Sequence, residues 1–551
     1  MISLTKDGYF SRDRSRFIPV GVNYWPGSSG VEMWVRWSPD EIKHDLDVIA
    51  GLGLNAIRFF LRWPDFEPEP GQYDPVNFKH LGEMLAWCQA RGLAAQPSLF
   101  VGFMSGGFFW PKWRHERNIY ADQEMLQCAA GFARHAAGLI APYHASLLGI
   151  DLGNELTVSP DSSAAHPSQV VNWCRTVTAA IRSAYPQAMV VSGTDHSTVI
   201  NDTGWRLGEM PGTDYYSMHA YPVPAWHNIG FDGMTDPFCQ TLLPSFVSLA
   251  HAYGPTFLQE FGTIVTFGAA QQEAYLRAIL PACWQAGANG FLWWCLRDIT
   301  ARVHPYLKNG FEGTLGLVDA NDRVKPGLDY FIEFSKAVQS MPPPDVDTLP
   351  TGIFLPAQYY PRENDLSTGQ TTRELSHGLV ISRYLLGLAG RQSRVVSGRA
   401  ALDGALRTLV IPGALVNTDE ACALETWVAA GGRLIWHAPD PVNWGPDYIR
   451  LLGAVPLDYR SPGQITTRAF GQDWTFSDFP RGIRVEAAPL TARVLARDEL
   501  GAPVLLANKV GRGEVIYALP CVDETIARVA ENRQARDRWL PWYLGMLDPT
   551  I

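Results

Sequence analysis

Short apolar runs alternate with amphipathic stretches up to about Gln339, and this alternation limits the possible folds more than any other feature of the chain. It is typical of a parallel sheet whose strands are joined by helices. Eight candidate strands can be counted: Phe17 to Trp25, Asn55 to Leu61, Ala94 to Phe100, Leu147 to Glu155, Ala188 to Asp195, Tyr215 to Tyr221, Thr256 to Phe261 and Gly290 to Leu296. Eight β/α units in roughly 300 residues match an α/β TIM barrel, whose active site lies at the C-terminal ends of the strands.

The first helix between these strands has clear start and stop signals. Ser38 is the predicted N-cap, Pro39 occupies the first turn, Glu41 completes a capping box, and Gly51 follows the end. A second helix is predicted from about Val76 to Cys88. Both helices fit crossover connections between parallel strands.

Two of the apolar strands end on a glutamate, Glu155 at the end of strand 4 and Glu260 at the end of strand 7. A carboxylate is costly to desolvate, so we do not expect an apolar strand that ends on one to have only a structural role. In a TIM barrel both side chains would point into the same mouth. Two carboxylates are the minimum needed to hydrolyse a glycosidic bond.

These residues resemble the retaining β-glycoside hydrolases of clan A, and most closely the cellulase-like family 5. The run Gly153-Asn154-Glu155 is similar to the Asn-Glu motif of that family. The resemblance implies that Asn154 binds the sugar 2-hydroxyl and that Glu155 is the general acid/base. Gln259-Glu260-Phe261-Gly262 resembles the nucleophile motif, which implies that Glu260 is the nucleophile.

Further residues of strands 2, 6 and 8 extend this resemblance. Arg58 matches the arginine that orients the nucleophile, and His219 and Tyr221 match the His-x-Tyr pair of strand 6. Trp294 resembles the aromatic residue under the reacting sugar. Structural alternatives stay open for each, because Asn-Glu also suits a helix N-cap, Arg58 could pair with another carboxylate, and His219 could be a satisfied core histidine.

The retaining mechanism requires one protonated and one ionised carboxyl group. We expect Arg58 to lower the pKa of Glu260, and the apolar surroundings to raise the pKa of Glu155. The carboxyl groups should lie roughly 5–5.5 Å apart. This chemistry requires no metal ion and no organic cofactor.

Tryptophans are abundant, with 19 in the chain, and many follow the predicted strands. Trp stacks well on sugars but also fills cores and anchors loops. Trp25 is predicted to contact substrate. The other tryptophans after predicted strands, which either role would suit, are Trp34, Trp37, Trp63, Trp110, Trp113 and Trp226.

Charge and cysteine content narrow the possible partners and location. A net charge of -10 without basic runs argues against nucleic acid or an anionic membrane as the main partner. The eight cysteines form no C-x-x-C pair, and we interpret them as buried free thiols of a reducing compartment. They are Cys88, Cys128, Cys174, Cys239, Cys283, Cys295, Cys422 and Cys521. No signal peptide is visible, so a cytoplasmic location is expected.

A proline cluster at Met341 to Asp345 predicts the end of the barrel domain, assigned to residues 1–340, and a linker at 341–352. Predicted strands at Ile353 to Leu355, Ser393 to Val396, Thr408 to Ile411 and Arg433 to His437 indicate a smaller α/β domain over 353–462. Residues 463–551 are predicted to add β-hairpins and a C-terminal helix, with a turn at Gly511-Arg512-Gly513.

This second half resembles the flavodoxin-like, amidotransferase-like domain of family 42 β-galactosidases. It lacks a cysteine in a nucleophile turn, so amidotransferase activity is not expected. The resemblance implies a homo-oligomer formed through the C-terminal domain.

The sequence as a whole predicts a retaining β-glycosidase that acts from chain ends on β-linked oligosaccharides or glycosides. Mannoside, glucoside and galactoside substrates all stay open. The alternatives are an endo-β-glycanase of mannanase or cellulase type and a non-catalytic carbohydrate-binding protein.

Overall fold

A computed structural model of the protein describes residues 1–360, 371–398, 402–438, 444–461, 463–477, 484–520 and 536–548. The chain divides into two compact units. Unit 1 contains Met1–Val223 and Phe246–Pro344, and unit 2 contains Pro224–Ser245 and Asp345–Ile551. Each unit is described by itself below.

Unit 1 is built on eight parallel strands that close into a TIM barrel, which confirms the predicted fold. In barrel order they are β4 (Val20–Tyr24), β5 (Ala56–Phe60), β6 (Ala94–Phe100), β9 (Ile150–Gly153), β10 (Val190–Val191), β11 (Tyr216–Ala220), β12 (Thr256–Phe261) and β13 (Ala288–Trp293). Pairing of β13 with β4 and a parallel bridge between Val191 and Tyr215 complete the ring.

Two further sets of strands decorate the barrel. An antiparallel ribbon of β1 (Ile2–Leu4), β2 (Phe10–Arg12) and β3 (Ser15–Phe17) precedes it. Ile2, Phe10 and Phe17 of this ribbon form one buried cluster with the first residues of several barrel strands, so the ribbon covers the N-terminal end of the barrel. A short hairpin of β7 (Phe103–Met104) and β8 (Gly107–Phe108) follows β6.

The helices that lie wholly in unit 1, between or after the barrel strands, are α1 (Pro39–Gly51), α2 (Trp63–Phe66), α3 (Pro75–Ala90), α4 (Gln123–Ile140), α5 (Pro160–Ala164), α6 (Pro167–Ala184), α7 (Ser197–Ile200), α10 (Ala269–Gln285) and α11 (Asp329–Ala337). The bounds of α1 agree with the prediction, but the capping box is wrong. Ser38 makes no side-chain cap bond. The Glu41 carboxylate accepts hydrogen bonds from Ser28 N at 3.1 Å and from Ser28 Oγ at 2.5 Å.

The fifth barrel strand is much shorter than predicted. Only Val190–Val191 pair as a strand, although the sequence favoured Ala188 to Asp195. Gly193 takes a positive φ of 67° with its Cα packed against the backbone of Gly153, so the chain turns here. The residues after this turn enter the active-site mouth as loop.

Unit 2 contains a seven-stranded mixed sheet. Its strands lie in the order β15 (Arg394–Ser397), β14 (Thr351–Leu355), β16 (Thr408–Ile411), β17 (Arg433–His437), β24 (Gly513–Ala518), β23 (Pro503–Val510) and β22 (Arg493–Arg497). The first five are parallel, and β24, β23 and β22 form an antiparallel meander with the predicted turn at Gly511-Arg512. An α/β domain with appended β-hairpins is therefore confirmed.

Among its described residues, unit 2 also contains two antiparallel pairs and several helices. The pairs are β18 (Ala454–Arg460) with β21 (Arg484–Pro489) and β19 (Ile465–Ala469) with β20 (Gln472–Phe476). The helices are α12 (Thr372–Leu388), α13 (Thr418–Ala429), α14 (Pro446–Leu452) and a C-terminal helix, Leu540–Leu547.

One segment of unit 2 comes from between two barrel strands in the sequence. Pro224–Ser245 follows β11 and carries α8 (Pro224–His227) and the start of α9 (Pro237–His251). Asp236 forms a buried ion pair with Arg536 at 2.7 Å, and His377 Nε2 lies 3.2 Å from the carbonyl oxygen of His227. These contacts hold the segment within unit 2.

The described cysteines are all free thiols. Cys422 is exposed and Cys128 is half-buried, so the prediction of burial is wrong for these two, both of which lie on helices. Cys521 lies outside the described residues. In the described ranges, no helix is long and apolar enough to cross a bilayer.

Candidate active site

Glu155 and Glu260 lie together in the barrel mouth. Glu260 belongs to β12, whereas Glu155 follows β9 in a left-handed conformation with φ and ψ both 47°. This conformation is costly for a residue with a Cβ and is found mainly where function requires it. Carboxylate oxygens of the two residues lie within 4.8 Å of each other. That spacing fits a retaining pair, roughly 5–5.5 Å apart, and not an inverting pair at roughly 6.5–9.5 Å.

Arg58 is fully buried beneath this pair and binds Glu260. Its Nη1 donates to Glu260 Oε2 at 3.2 Å, and its Nη2 donates to Asn154 Oδ1 at 2.9 Å. The sequence named Glu260 as the partner of Arg58, but Asp151 is closer, with Oδ2 2.8 Å from Nη2. Asn23 accepts a further bond from Nη1 at 3.1 Å. Asp151 and Asn23 were missed, although each is a polar residue inside an otherwise apolar strand.

Tyr221 and His219 face the two carboxylates from β11 and the residue that follows it. The Tyr221 hydroxyl donates to Glu260 Oε1 at 2.7 Å, so Glu260 receives hydrogen bonds on both oxygens. His219 Nδ1 lies 3.3 Å from Glu155 Oε1 and 3.8 Å from Glu260 Oε2. The site residues predicted from the strand 4, 6 and 7 motifs, Asn154, Glu155, His219, Tyr221 and Glu260, therefore lie together around the carboxyl pair.

Burial raises the pKa of both carboxyl groups. The pKa of Glu155 rises to about 8, with desolvation as the main cause and the nearby Asp195 carboxylate as the second. Desolvation also raises the pKa of Glu260 to about 7, although Arg58 and Tyr221 oppose the rise. The expected lowering of the Glu260 pKa is therefore wrong. Donors from Arg58 and Tyr221 reach both oxygens of Glu260, which favours the negative charge on Glu260 and the proton on Glu155.

Trp293 and Trp294 point in opposite directions at the end of β13. Trp294 lies at the mouth beside Phe60, with ring centroids 5.9 Å apart, and its Nε1 donates to Glu312 Oε2 at 3.1 Å. Trp293 packs on the outside against Phe331 of α11. Glu312, a buried carboxyl group in the loop after β13, was missed because nothing in that loop sequence marks it.

Most tryptophans that follow the barrel strands pack against other side chains of unit 1. Trp25 is buried and stacks on Phe60 with centroids 5.3 Å apart, so its contact with substrate stays a prediction. The rings of Trp34, Trp63 and Trp113 are also buried. Trp37 stacks on His80 and Trp87, and Trp110 lies against Trp63. Trp226 belongs to unit 2 and is exposed.

The β7–β8 hairpin ties together two loops that are not neighbours around the barrel. Ser105 and Gly106 form its two-residue turn with φ of 50° and 84°, typical of a type I′ turn. Asn309, from the loop after β13, donates to the Ser105 carbonyl at 2.6 Å, and Asn154 donates to the Phe103 carbonyl at 2.8 Å. Since β4 and β5 separate β6 from β13, the hairpin spans the distance between the loop after β13 and the residues after β9.

Glu155, Glu260 and His219 also have the spacing of a metal-binding trio. A cation there would face the guanidinium of Arg58, which already binds Glu260. The donor set therefore fits a pair of catalytic carboxyl groups better than it fits a metal ion.

Comparison with known proteins agrees with this geometry. Residues 19–298 match the family model of cellulase (glycosyl hydrolase family 5). The exo-β-1,4-mannosidase Op5Man5 from Opitutaceae bacterium strain TAV5 is 45% identical, with a TM-score of 0.96, over 99% of this chain and 100% of its own. Among curated proteins, none matches the sequence significantly.

More distant structures share the fold. A GH5_18 protein from Streptomyces cattleya, solved with Manβ1-4GlcNAc, is 21% identical over 72% of this chain and 99% of its own, with a TM-score of 0.63. A family 42 β-galactosidase from G. stearothermophilus is 15% identical over 96% of this chain and 88% of its own, with a TM-score of 0.69. The chain belongs to glycoside hydrolase family 5 and is a retaining, exo-acting β-glycosidase.

Proposed function

We propose that this enzyme is an exo-β-mannosidase that releases mannose from the non-reducing ends of β-1,4-linked manno-oligosaccharides. The observation that supports this most strongly is the 45% identity to an exo-β-1,4-mannosidase over essentially the full length of both chains. Glucosides and galactosides were equally open from the sequence, and they serve as the competing substrates in the test below.

In the proposed mechanism Glu260 is the nucleophile. Its carboxylate attacks the anomeric carbon and forms a covalent glycosyl-enzyme as the bond to the leaving oxygen breaks. Arg58 and Tyr221 hold Glu260 through hydrogen bonds of 3.2 and 2.7 Å. These bonds fix the attacking oxygen and favour the ionised form.

Glu155 is the proposed general acid and base. Its proton passes to the leaving glycosidic oxygen in the first step, and in the second step Glu155 takes a proton from the water that attacks the glycosyl-enzyme. Its raised pKa keeps the acid form populated at neutral pH. The Glu155 side chain is 14% exposed, so water can reach it from the mouth.

The sugar-binding roles are proposed for the residues around this pair. Asn154 would bind the 2-hydroxyl group, with its own orientation fixed by Arg58 and the Phe103 carbonyl. Trp294, held by Glu312, would form the floor under the reacting sugar. The β7–β8 hairpin supports attack at chain ends, because a sugar chain cannot continue across the side of the mouth that it spans.

A panel of p-nitrophenyl β-glycosides tests the substrate directly. We expect kcat/KM for the β-mannoside to exceed the values for the β-glucoside and β-galactoside by roughly a hundredfold. Glu260→Ala and Glu155→Gln should abolish turnover of β-1,4-mannobiose, whereas the matched change Glu83→Gln, on the half-buried face of α3, should not. Preference for glucoside or galactoside would contradict the mannosidase assignment.

A cytoplasmic location and a homo-oligomer formed through the C-terminal domain complete the proposal. The free thiols among the described residues, Cys422 exposed among them, support a reducing compartment. Cell fractionation tests the location, and light scattering at several protein concentrations tests the oligomer. A mass of 61.0 kDa at every concentration would exclude the oligomer.

A further inference from the structure

Three buried polar side chains lie inside the barrel beside the catalytic pair and have no role in the mechanism above. Gln96 belongs to β6, Gln259 to β12, and Tyr215 immediately precedes β11. All three are buried. Polar groups at such sites are costly unless they are hydrogen-bonded, and here they bond to one another.

The direction of each bond follows from a backbone carbonyl at one end. The Tyr215 hydroxyl donates to the Leu148 carbonyl at 3.0 Å, and a carbonyl can only accept. The hydroxyl must therefore accept from Gln96 Nε2, which lies 2.8 Å away. The other end of Gln96 is then its oxygen, which accepts from Gln259 Nε2 at 2.7 Å.

The hydrogen-bonded chain continues from Gln259 to His219. With its nitrogen committed to Gln96, Gln259 presents its oxygen to His219 Nε2 at 2.9 Å. That ring nitrogen must therefore carry a hydrogen. A neutral imidazole has only one N–H, so Nδ1 is left as an acceptor. Its neighbour Glu155 Oε1, at 3.3 Å, can satisfy it only as a protonated carboxyl group.

We propose that Tyr215, Gln96 and Gln259 are positioning residues that fix the His219 proton on Nε2, so that Nδ1 accepts from Glu155 and the catalytic proton stays on Glu155. We call this hydrogen-bonded chain, from the Leu148 carbonyl to His219, the relay. No proton has to move along it, since it acts by fixing donor and acceptor directions. The proposal rests on the acid role of Glu155 given under the proposed function.

The surroundings agree with a neutral imidazole. Burial lowers the pKa of His219, and Arg58 adds to that effect while Glu260 opposes it. Glu155 itself is faced by charged or titratable groups from the loop after β10, from β5, β11 and β12, and from the loop after β13. These groups are Asp195, His196, Arg58, His219, Glu260 and Glu312.

The test removes one hydroxyl from the relay. In Tyr215→Phe, the side-chain amides of Gln96 and Gln259 can rotate by half a turn and exchange their nitrogen and oxygen positions. His219 can then carry its proton on Nδ1. That N–H would donate to the Glu155 carboxylate and lower the pKa of Glu155. We expect the basic limb of kcat/KM against pH for β-1,4-mannobiose to move down by about one unit. The matched control is Tyr24→Phe, which removes a buried hydroxyl bound to Asp45 and should leave the limb unchanged.

Two substrates separate this role from a structural one. 2,4-Dinitrophenyl β-mannoside has a leaving group that needs no acid, so its kcat/KM should change less than twofold while that of mannobiose falls at alkaline pH. A folded Tyr215→Phe enzyme whose basic limb stays in place or moves up would overturn the proposal. If Glu155→Gln is fully active, the acid assignment itself fails, which is a different result.

A measurement on the unchanged enzyme covers the case in which Tyr215→Phe does not fold. Nitrogen-15 NMR of histidine-labelled protein reports the tautomer of His219, assigned by loss of its signals in His219→Gln. The relay requires the Nε2–H form at neutral pH. An Nδ1–H tautomer or a doubly protonated ring would overturn it.

Discussion

Arg58 is shared among five acceptors, and this sharing explains the pKa of the catalytic carboxylate. Asp151 binds it at 2.8 Å, closer than Glu260 at 3.2 Å. The Asp151 carboxylate therefore already balances the charge of the guanidinium, and Glu260 is a second anion on the same cation. Desolvation then outweighs the remaining attraction, so that the pKa of Glu260 rises to about 7.

The two raised pKa values predict a bell-shaped pH profile centred near neutrality. Activity requires ionised Glu260, which is lost as pH falls through about 7, and protonated Glu155, which is lost as pH rises through about 8. Initial rates on mannobiose from pH 4 to 10 give kcat/KM and hence both limbs. Full activity at pH 5 would contradict the predicted charge state of Glu260.

Tyr221→Phe should move one limb of this profile and leave the other. The hydroxyl donates to Glu260 Oε1 at 2.7 Å and favours the ionised carboxylate. Without it the pKa of Glu260 rises further, so the acidic limb should move up by about one unit. Comparison with Tyr24→Phe controls for the loss of a buried hydroxyl. A shift of the basic limb instead would assign Tyr221 to the acid.

At the level of strands and loops, the sequence predicts features that depend on hydrophobic periodicity or on the large cost of burying a charge. Glu155 and Glu260 stand out because each ends an apolar strand. Asp151 was missed, although a carboxylate inside an apolar strand is equally costly to desolvate. Asn309 and Glu312 were missed, since they lie in a loop without periodicity. The relay also joins residues more than 100 positions apart, as Gln96 and Tyr215 show, and no local pattern reports such pairing.

The β7–β8 hairpin is the element expected to limit attack to chain ends. Asn309→Ala removes its hydrogen bond to the Ser105 carbonyl and should let the turn move away from the loop after β13. We expect mannobiose to rise at least roughly threefold among the early products of mannotetraose, relative to mannose. The neighbouring exposed change Lys308→Ala is the matched control. Unchanged early products in Asn309→Ala, measured by chromatography, would show that the hairpin has no such role.

At the level of the whole molecule, membership of a unit does not follow chain order. The segment Pro224–Ser245 lies between β11 and β12 in sequence but packs within unit 2. The sequence predicted a proline-marked boundary near Met341 and the strands on both sides of it. It gave no sign of this segment, because a buried ion pair such as Asp236–Arg536 is encoded by two residues that are 300 positions apart.

Loss of that pair should destabilise unit 2. Both charges are buried, so Asp236→Ala removes a buried carboxylate from the Arg536 guanidinium and should cost about 3–5 kcal/mol. The matched control is Glu83→Ala, which breaks the pair between half-buried Glu83 and exposed Lys79 and should cost less than about 1 kcal/mol. Urea denaturation followed by tryptophan fluorescence measures both variants. Equal transitions for the two would contradict the role assigned to Asp236.

The stereochemistry of azide rescue tests the central claim, the roles of Glu260 and Glu155 in a retaining mechanism, most directly. With 2,4-dinitrophenyl β-mannoside and azide, Glu155→Ala should yield β-mannosyl azide, because azide replaces water in attacking the glycosyl-enzyme from the face that Glu155 serves. Glu260→Ala should yield α-mannosyl azide, because azide replaces the nucleophile itself. Proton NMR distinguishes the anomers. Reversed products, or unaltered turnover in either variant without azide, would contradict the account.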